Sequence, residues 1–122
     1  MNLGELMKVE MANLCDDLKE KRLSNVPKDA QERKNLPVTS GVLDYFPLAL
    51  LEVAHVSKVG NDQHNPGEPL HWARNKSTDH ADCILRHLID RGKIDADLVR
   101  HSAKLAWRAL ALLQEEMEDN HG

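Results

Sequence analysis

Apolar residues recur at three- and four-residue steps in two stretches of the first half of the chain, which is the spacing of an amphipathic α-helix. The first stretch covers residues 3–22 and ends in a basic turn, as the C-terminus of a helix favours. The second covers about 47–59; it begins at Pro47, which a first helical turn tolerates, and is expected to stop near Gly60. Between them, residues 24–46 show no periodicity and predict a long irregular connector.

The second half of the chain predicts a loop and two further helices. Residues 60–76 contain two glycines and two prolines and are predicted to be loop. Ser77 or Thr78 is expected to cap the next helix, and Asp95 or Asp97 the last one. The pattern therefore predicts about four helices and two long loops, for which a helical bundle is the simplest packing.

The composition agrees with a single all-α domain covering residues 1–122. Apolar residues make up 41% of the chain but aromatic residues only 3%, so the core must be aliphatic, and the abundant Leu, Ala and Met favour helices over sheets. A bundle this short, with the connector 24–46 to cover, is expected to leave apolar faces that a second copy of the chain hides. The role of the connector itself stays open.

The charge pattern argues against several classes of partner. The formal net charge is −4 and no basic run marks a phosphate-backbone footprint, so we expect no nucleic-acid partner. No apolar run is long enough to span a membrane, and the N-terminus lacks the residue order of a signal peptide. Cys15 and Cys83 have no C-x-x-C spacing, which fits reduced thiols in an intracellular, cytoplasmic protein.

Residues 60–87 concentrate the groups that can do chemistry. This stretch is too polar to build a core, and it ends in Asp79 and Asp82, which lie one helical turn apart. On the preceding helix, Glu52 stands three residues before His55, again on one face. The stretch also contains four of the seven histidines, namely His64, His71, His80 and His87.

Three carboxylates, those of Glu52, Asp79 and Asp82, are expected to converge where these two helices pack side by side. Like charges that close together need a cation, and oxygen ligands suit Mg²⁺ or Mn²⁺, which carboxylates share with substrate phosphates. The alternative is that all three are solvated surface charges, with Asp79 complementing a helix N-terminus. We favour a divalent metal site in which the three carboxylates are the metal-binding and catalytic residues.

The loop before Asp79 is suited to recognise a nucleobase. Trp72 either stacks on the base or pins the loop to the bundle. His80 and His87 lie on one helical face beside the carboxylates, where they orient the metal ligands or satisfy polar groups at a helix junction. The amide and imidazole groups that can read a base edge are those of Asn61, Gln63, His64 and Asn65.

The spacing of the acidic residues resembles the MazG-like all-α nucleoside triphosphate pyrophosphohydrolases, whose signature is E-E-x-x-E followed after a variable gap by E-x-x-D. Here the L-E-x-x-H of residues 51–55 stands where E-E-x-x-E would be, and the D-x-x-D of residues 79–82 where E-x-x-D would be. His55 is therefore either a nitrogen ligand or a neighbour of the metal. An imidazole ligand would move the metal preference from Mg²⁺ towards Mn²⁺ or Co²⁺.

A closer resemblance is to the phage and bacterial dATP/dGTP diphosphohydrolase (MazZ-like) branch. It covers roughly residues 36–116 through the runs LPVTSGVLDYFPLALLEVA, GNDQHNPGEPLHWAR, KSTDHADCILRHL and HSAKLAWRALALLQ. It implies that a metal-activated water hydrolyses dGTP or dATP between the α- and β-phosphates, which gives the monophosphate and pyrophosphate. It also implies a homodimer or homotetramer with sites near the subunit interface.

Hydrolysis of a triphosphate needs positive groups aimed at the charge that develops on the phosphates. Each lysine or arginine also has the simpler interpretation of a solvated side chain. The candidates for holding the triphosphate are Lys58, Arg74, Lys76 and Arg86, joined from the last helix by Lys104 and Arg108.

Two other functions are weighed against this one. An HD-type phosphohydrolase would use the many histidines, but its chemistry needs an adjacent His-Asp pair, which the sequence lacks. A non-catalytic helical module that binds a nucleotide or a partner protein would leave the acidic faces solvated. The preferred purine, the number of metals and the choice between dimer and tetramer stay open.

Overall fold

Every regular element in the described part of the chain is helical, which confirms the all-α prediction. The computed structural model describes residues 2–24, 27–74 and 76–119, and within α1 it describes side chains only up to residue 13. Strand-like pairing in these residues is limited to one isolated bridge, between Ile94 and Arg100. The helices are α1 (Leu3–Ser24), α2 (Ala30–Lys34), α3 (Pro47–His64), α4 (His80–Ile89) and α5 (His101–Glu118), and Thr39–Leu43 adds a π-helical turn.

The chain divides into two compact units, the first made of residues 1–37 and 116–122 and the second of residues 38–115. In the first unit, α1 confirms the helix predicted over 3–22. Its predicted basic last turn lies outside the described side chains. The apolar residues of α1 that are described lie exposed, namely Leu3, Leu6, Met7, Val9 and Met11.

The connector predicted to be irregular contains a fifth helix, α2, which raises the number of helices above the predicted four. Asp29 begins it, because its Oδ1 accepts the backbone N–H groups of Gln31 at 2.8 Å and Glu32 at 3.3 Å. Five residues are too few to show the apolar periodicity on which the sequence prediction depended, so this helix could be found only through its cap.

In the second unit, α3 begins at Pro47 as predicted but continues past Gly60, where it was expected to stop. A single glycine lowers helix stability without ending a helix. The helix ends at His64 because Pro66 disfavours helical conformation at the residue before it, and Asn65 accordingly has φ −136° and ψ 60°. The predicted loop 60–76 is therefore wrong at its start; of the segment 65–79, which follows α3, the described residues 65–74 and 76–79 are loop.

Both later helices begin differently from the prediction. The N-cap of α4 is Asp79, because the Ser77 hydroxyl donates to the Asp79 carboxylate at 2.7 Å instead of accepting from a helical N–H. Before α5, the carboxylate of Asp95 accepts the N–H of Ala96 and that of Asp97 accepts the N–H of Val99. These two acids shape a tight turn, and α5 starts only after it, at His101.

The buried apolar residues are small, and most large ones are exposed. Among the described residues, the core consists of Cys83, Val99, Ala103 and Ala111. Cys83 is a free, buried thiol whose pKa is raised mainly by burial, which agrees with a packing role. No single helix among the described residues is long and apolar enough to cross a membrane, although an interrupted pair, residues 30–43 with 47–64, meets that test by length and composition alone.

Candidate active site

A cavity of about 800 Å³ lies within the second unit. Its walls come from the C-terminal half of α3, the loop 65–79, the two ends of α4, the turn before α5, and α5 itself. A volume of this size is typical of small-molecule sites. The residues predicted for the site that line this cavity are Asn61, Gln63, His64, Asn65, Trp72, Arg74, Lys76, His80, His87, Lys104 and Arg108.

The predicted metal ligands are not part of the cavity wall. Lys58 is also on the outside, where its Nζ lies 3.0 Å from Asp62 Oδ1 and both side chains are exposed. The predicted site residues that do not line the cavity are Glu52, His55, Lys58, Asp79, Asp82 and Arg86.

The expected convergence of three carboxylates does not occur within one chain. The described residues contain no group of three or more His, Cys, Asp or Glu side chains that could hold a metal ion. Helical periodicity fixes the face of its own helix on which a residue lies, but not how that helix is turned towards its neighbour. The residues present in a single chain therefore do not fit a divalent cation, and the metal-binding roles of Glu52, His55, Asp79 and Asp82 stay predictions.

The carboxylate of Asp79 is engaged by the protein itself. Its Oδ1 accepts the Ser77 hydroxyl at 2.7 Å and its Oδ2 the Cys83 thiol at 3.4 Å. These two hydrogen bonds lower the pKa of Asp79 to about 2. Two guanidinium groups add positive charge, since Arg86 lies 3.7 Å and Arg108 3.9 Å from the carboxylate. Arginines thus supply the countercharge that we assigned to a metal.

Arg108 reaches the cavity through a fixed hydrogen-bond network. It donates to Ser77 Oγ at 2.8 Å and to His80 Nδ1 at 3.1 Å. Because Nδ1 accepts, the hydrogen of the buried His80 ring lies on Nε2, which donates to Glu115 Oε2 at 3.0 Å. His80 therefore positions an arginine between α4 and α5. The sequence left open whether His80 orients metal ligands or satisfies polar groups at a helix junction, and these contacts are of the second kind.

Two indole rings meet at the cavity wall. Trp72 contacts Trp107 edge to face, with ring centroids 5.6 Å apart, and Trp107 donates to Ser57 Oγ at 2.8 Å. The guanidinium of Arg74 covers a face of Trp72, 4.3 Å from the ring centroid. Trp72 thus holds the loop against α5, which was one of its two predicted roles. Trp107 is itself half-buried.

Lys104 is bound by two carboxylates instead of being free for a phosphate. Its Nζ lies 2.7 Å from both Asp95 Oδ2 and Asp97 Oδ2. Burial would lower the pKa of Lys104, but the hydrogen bonds and charges of the two aspartates outweigh it and raise the pKa. The hydrogen bond from Lys104 is in turn the main reason that the pKa of Asp95 falls to about 2. The three side chains form an almost fully charged cluster at neutral pH.

Asn61 has a structural role in the loop. It is buried, its Nδ2 donates to the backbone carbonyl of Glu68 at 3.0 Å, and its Oδ1 accepts the N–H of His71 at 3.3 Å. Both polar ends of the predicted base reader are therefore used by the chain itself.

Four residues of the site had no predicted role in binding or catalysis. The sequence predicts Asp95 and Asp97 only as helix caps and assigns no role to His101 or Glu115. The sequence does contain a signal for Asp95, Asp97 and His101. The two aspartates precede a helix whose first turn carries an imidazole and an ammonium group, and this arrangement favours ion pairs between them. Nothing in the sequence singled out Glu115, which lies 35 residues from its partner His80.

Comparison with known proteins gives one family. No curated protein and no solved structure matches the chain significantly. The model of the family described as dATP/dGTP diphosphohydrolase, N-terminal, matches residues 25–122. The match covers about four-fifths of the 122 residues and includes the whole cavity. The chain therefore belongs to the dATP/dGTP diphosphohydrolase, N-terminal, family.

Proposed function

We propose that the protein hydrolyses dGTP or dATP to the monophosphate and pyrophosphate. The observation that carries the proposal is the cavity, whose wall combines two indole rings with cationic and amide side chains. A purine nucleotide offers a flat aromatic base and a polyanionic chain, and these two chemistries match the two kinds of lining group. The family description supports the same substrates.

In this proposal the triphosphate is held by Arg74, Lys76 and Arg108. All three line the cavity, and Arg108 is oriented by two hydrogen bonds to Ser77 and His80. A donor fixed in this way stabilises developing charge without reorganising during the reaction. Lys104 is a weaker candidate than the sequence indicated, because two aspartates already neutralise it.

The base is proposed to lie against the loop and the end of α3. Gln63, His64 and Asn65 line the cavity there and offer amide and imidazole groups. Trp72 offers an aromatic surface beside them, although Arg74 lies over one of its faces. Binding a base on that face would require the guanidinium to move, and the triphosphate is a nearby anion that would attract it.

A divalent cation, Mg²⁺, Mn²⁺ or Co²⁺, is also part of the proposed site. Its proposed ligands are Glu52, Asp79 and Asp82, with or without His55. In the single chain Asp79 is already engaged by arginines and by two hydrogen bonds. Binding a cation would therefore require Asp79 to exchange these partners for the metal.

A panel of nucleoside triphosphates with product analysis tests the proposed function. We expect dGTP or dATP to give the monophosphate and pyrophosphate in a one-to-one ratio, and activity to disappear with a chelator and return with Mn²⁺ or Mg²⁺. Release of single phosphates or of inorganic triphosphate would favour an HD-type reaction instead. Tight nucleotide binding without any product would favour the non-catalytic binding module instead.

We also propose that the chain forms homodimers or homotetramers. Large apolar side chains of the second unit are exposed to an extent that a stable monomer rarely shows, including Leu48 at 76%, Leu51 at 68% and Ile89 at 68%. The residues buried within one chain are small. Burying these large side chains in a subunit interface would therefore provide most of the apolar surface that the protein removes from water. Light scattering at micromolar concentration is expected to give two or four times 13.8 kDa. A mass of one chain would contradict this proposal.

A further inference from the structure

Two histidine rings face each other at the cavity. His87, on α4, lines the cavity, and His101 is the first residue of α5. Their Nδ1 atoms lie 3.0 Å apart and their ring centroids 5.2 Å apart, at an interplanar angle of 39°. A contact this short between two ring nitrogens requires that one of them carries the hydrogen and the other accepts it. The pair therefore has two possible arrangements of hydrogens. They differ in which of the two Nε2 atoms carries a hydrogen.

The surroundings of His101 favour one arrangement. Asp95 Oδ1 lies 4.0 Å from His101 Nε2, and the carboxylate is held in place by Ala96 N–H and Lys104 Nζ, each at 2.7 Å. A fixed negative charge beside Nε2 favours a hydrogen on that atom. The His101 Nδ1 then accepts, and the His87 Nδ1 donates to it. The remaining nitrogen of His87, Nε2, then has a lone pair that no hydrogen bond from the described residues uses.

We propose that His87 Nε2 is the general base that activates the attacking water, with His101 and Asp95 as positioning residues. This inference depends on the proposed hydrolysis of a nucleoside triphosphate. As His87 takes a proton from water, the water oxygen forms a bond to the α-phosphorus. The bond from that phosphorus to the oxygen bridging to the β-phosphate breaks, and pyrophosphate leaves with the electron pair. The proton on His87 then passes to solvent.

The groups that face His87 keep it neutral. Burial lowers the pKa of His87 below its ordinary value of 6.5; repulsion from His101, once that ring is protonated, and from Lys104 and Arg86 acts in the same direction, against the opposite effect of Asp95. A depressed histidine pKa means that the ring is neutral above it and gains a proton only as the pH falls through it. The base is therefore present at neutral pH, and activity should be lost on the acid side, below pH 6.5.

The pH dependence of kcat in the unmodified enzyme is the first test. We expect log kcat to fall with a slope of one as the pH drops, with a midpoint below 6.5. A profile that stays flat down to pH 5 would overturn the inference. This measurement needs no variant and so does not depend on the folding of one.

Replacing His87 by glutamine is the second test. We expect His87→Gln to lower kcat by about 10²–10⁴-fold with KM changed only a few-fold, and to remove the acid limb of the profile. His101→Asn should lower kcat less and shift the midpoint of that limb, since the residue only positions the base. Lys93→Gln is the control: the side chain is exposed, pairs with Asp90 and lies outside the cavity wall, so its kcat should match the unmodified enzyme.

A third measurement separates a lost base from a lost structure. Added imidazole should restore part of the kcat of His87→Gly, because a free base can occupy the space of the missing ring. More than a tenth of the original kcat in His87→Gln, or no recovery with imidazole in a His87→Gly protein that melts normally, would overturn the role of His87. Absence of product from the unmodified enzyme would instead refute the proposed hydrolysis itself.

Discussion

Replacing Arg108 by glutamine is expected to lower kcat/KM for dGTP or dATP by about 10²–10³-fold, the usual effect of removing one fixed donor from a site of developing negative charge. Arg108 lines the cavity in a restrained geometry, because Ser77 and His80 each accept a hydrogen bond from it. Glutamine keeps some polarity but removes the charge. Steady-state kinetics with the preferred nucleotide measures the loss.

Two further variants make this result specific. Arg108→Lys keeps the charge but cannot donate to Ser77 and His80 at once, so we expect an intermediate kcat/KM. Arg91→Gln is the matched control, because Arg91 donates to the Leu88 carbonyl at 3.2 Å and lies outside the cavity wall. Unchanged activity in Arg108→Gln, with a normal melting temperature, would exclude Arg108 from the site.

The periodicity of apolar residues predicted the long helices because apolar residues recur in each of them at three- and four-residue steps. It misplaced the end of α3, which continues past Gly60, and the starts of α4 and α5, where polar side chains bind partners outside the helix. Ser77 bonds to the Asp79 carboxylate, and Asp95 and Asp97 bind Lys104, so none of them caps the helix as expected. The partner that a polar side chain binds depends on which residues folding brings close to it. Spacing along the chain does not show this.

The site was predicted in outline because its residues are too polar for a core. The loop and the start of α4 do line the cavity, as their composition indicated. The partners within the cavity were not predictable in the same way. His87 was expected beside carboxylates, yet it contacts His101, and Lys104 was expected to bind phosphate, yet it contacts two aspartates. His87 and His101 lie on different helices, and Lys104 lies on a helix whereas its two aspartates lie in the turn before it. Only the fold brings these side chains together.

The arrangement of charge has a consequence for the cavity. The cations near it differ in their acidic partners: Lys104 lies 2.7 Å from two carboxylates, whereas Arg108 is bonded to a hydroxyl and an imidazole and has one carboxylate, that of Asp79, at 3.9 Å. A cation between two close carboxylates has little attraction left for a third anion, whereas one with a single, more distant carboxylate keeps more of it. A triphosphate is therefore expected to bind near Arg108.

Asn61→Leu is expected to lower the free energy of unfolding by about 1–3 kcal/mol, the effect of leaving buried polar groups without partners. The carbonyl of Glu68 and the N–H of His71 would both lose the amide that now bonds to them. Leucine branches at the same atom as asparagine but has no hydrogen-bonding group, so both hydrogen bonds are removed. Urea unfolding at constant pH measures the change.

The same substitution should weaken substrate binding, because the loop that Asn61 holds also carries Trp72, Arg74 and Lys76. We expect a higher KM for the nucleotide with a smaller change in kcat, since the loop carries proposed substrate-binding groups and not the proposed base. Glu68→Gln is the control: it changes an exposed side chain but keeps the carbonyl that Asn61 binds, so stability should stay within about 0.5 kcal/mol of the original. If Asn61→Leu unfolds at the same urea concentration as this control, then the loop is held by contacts such as that between Trp72 and Trp107, and not by the buried amide.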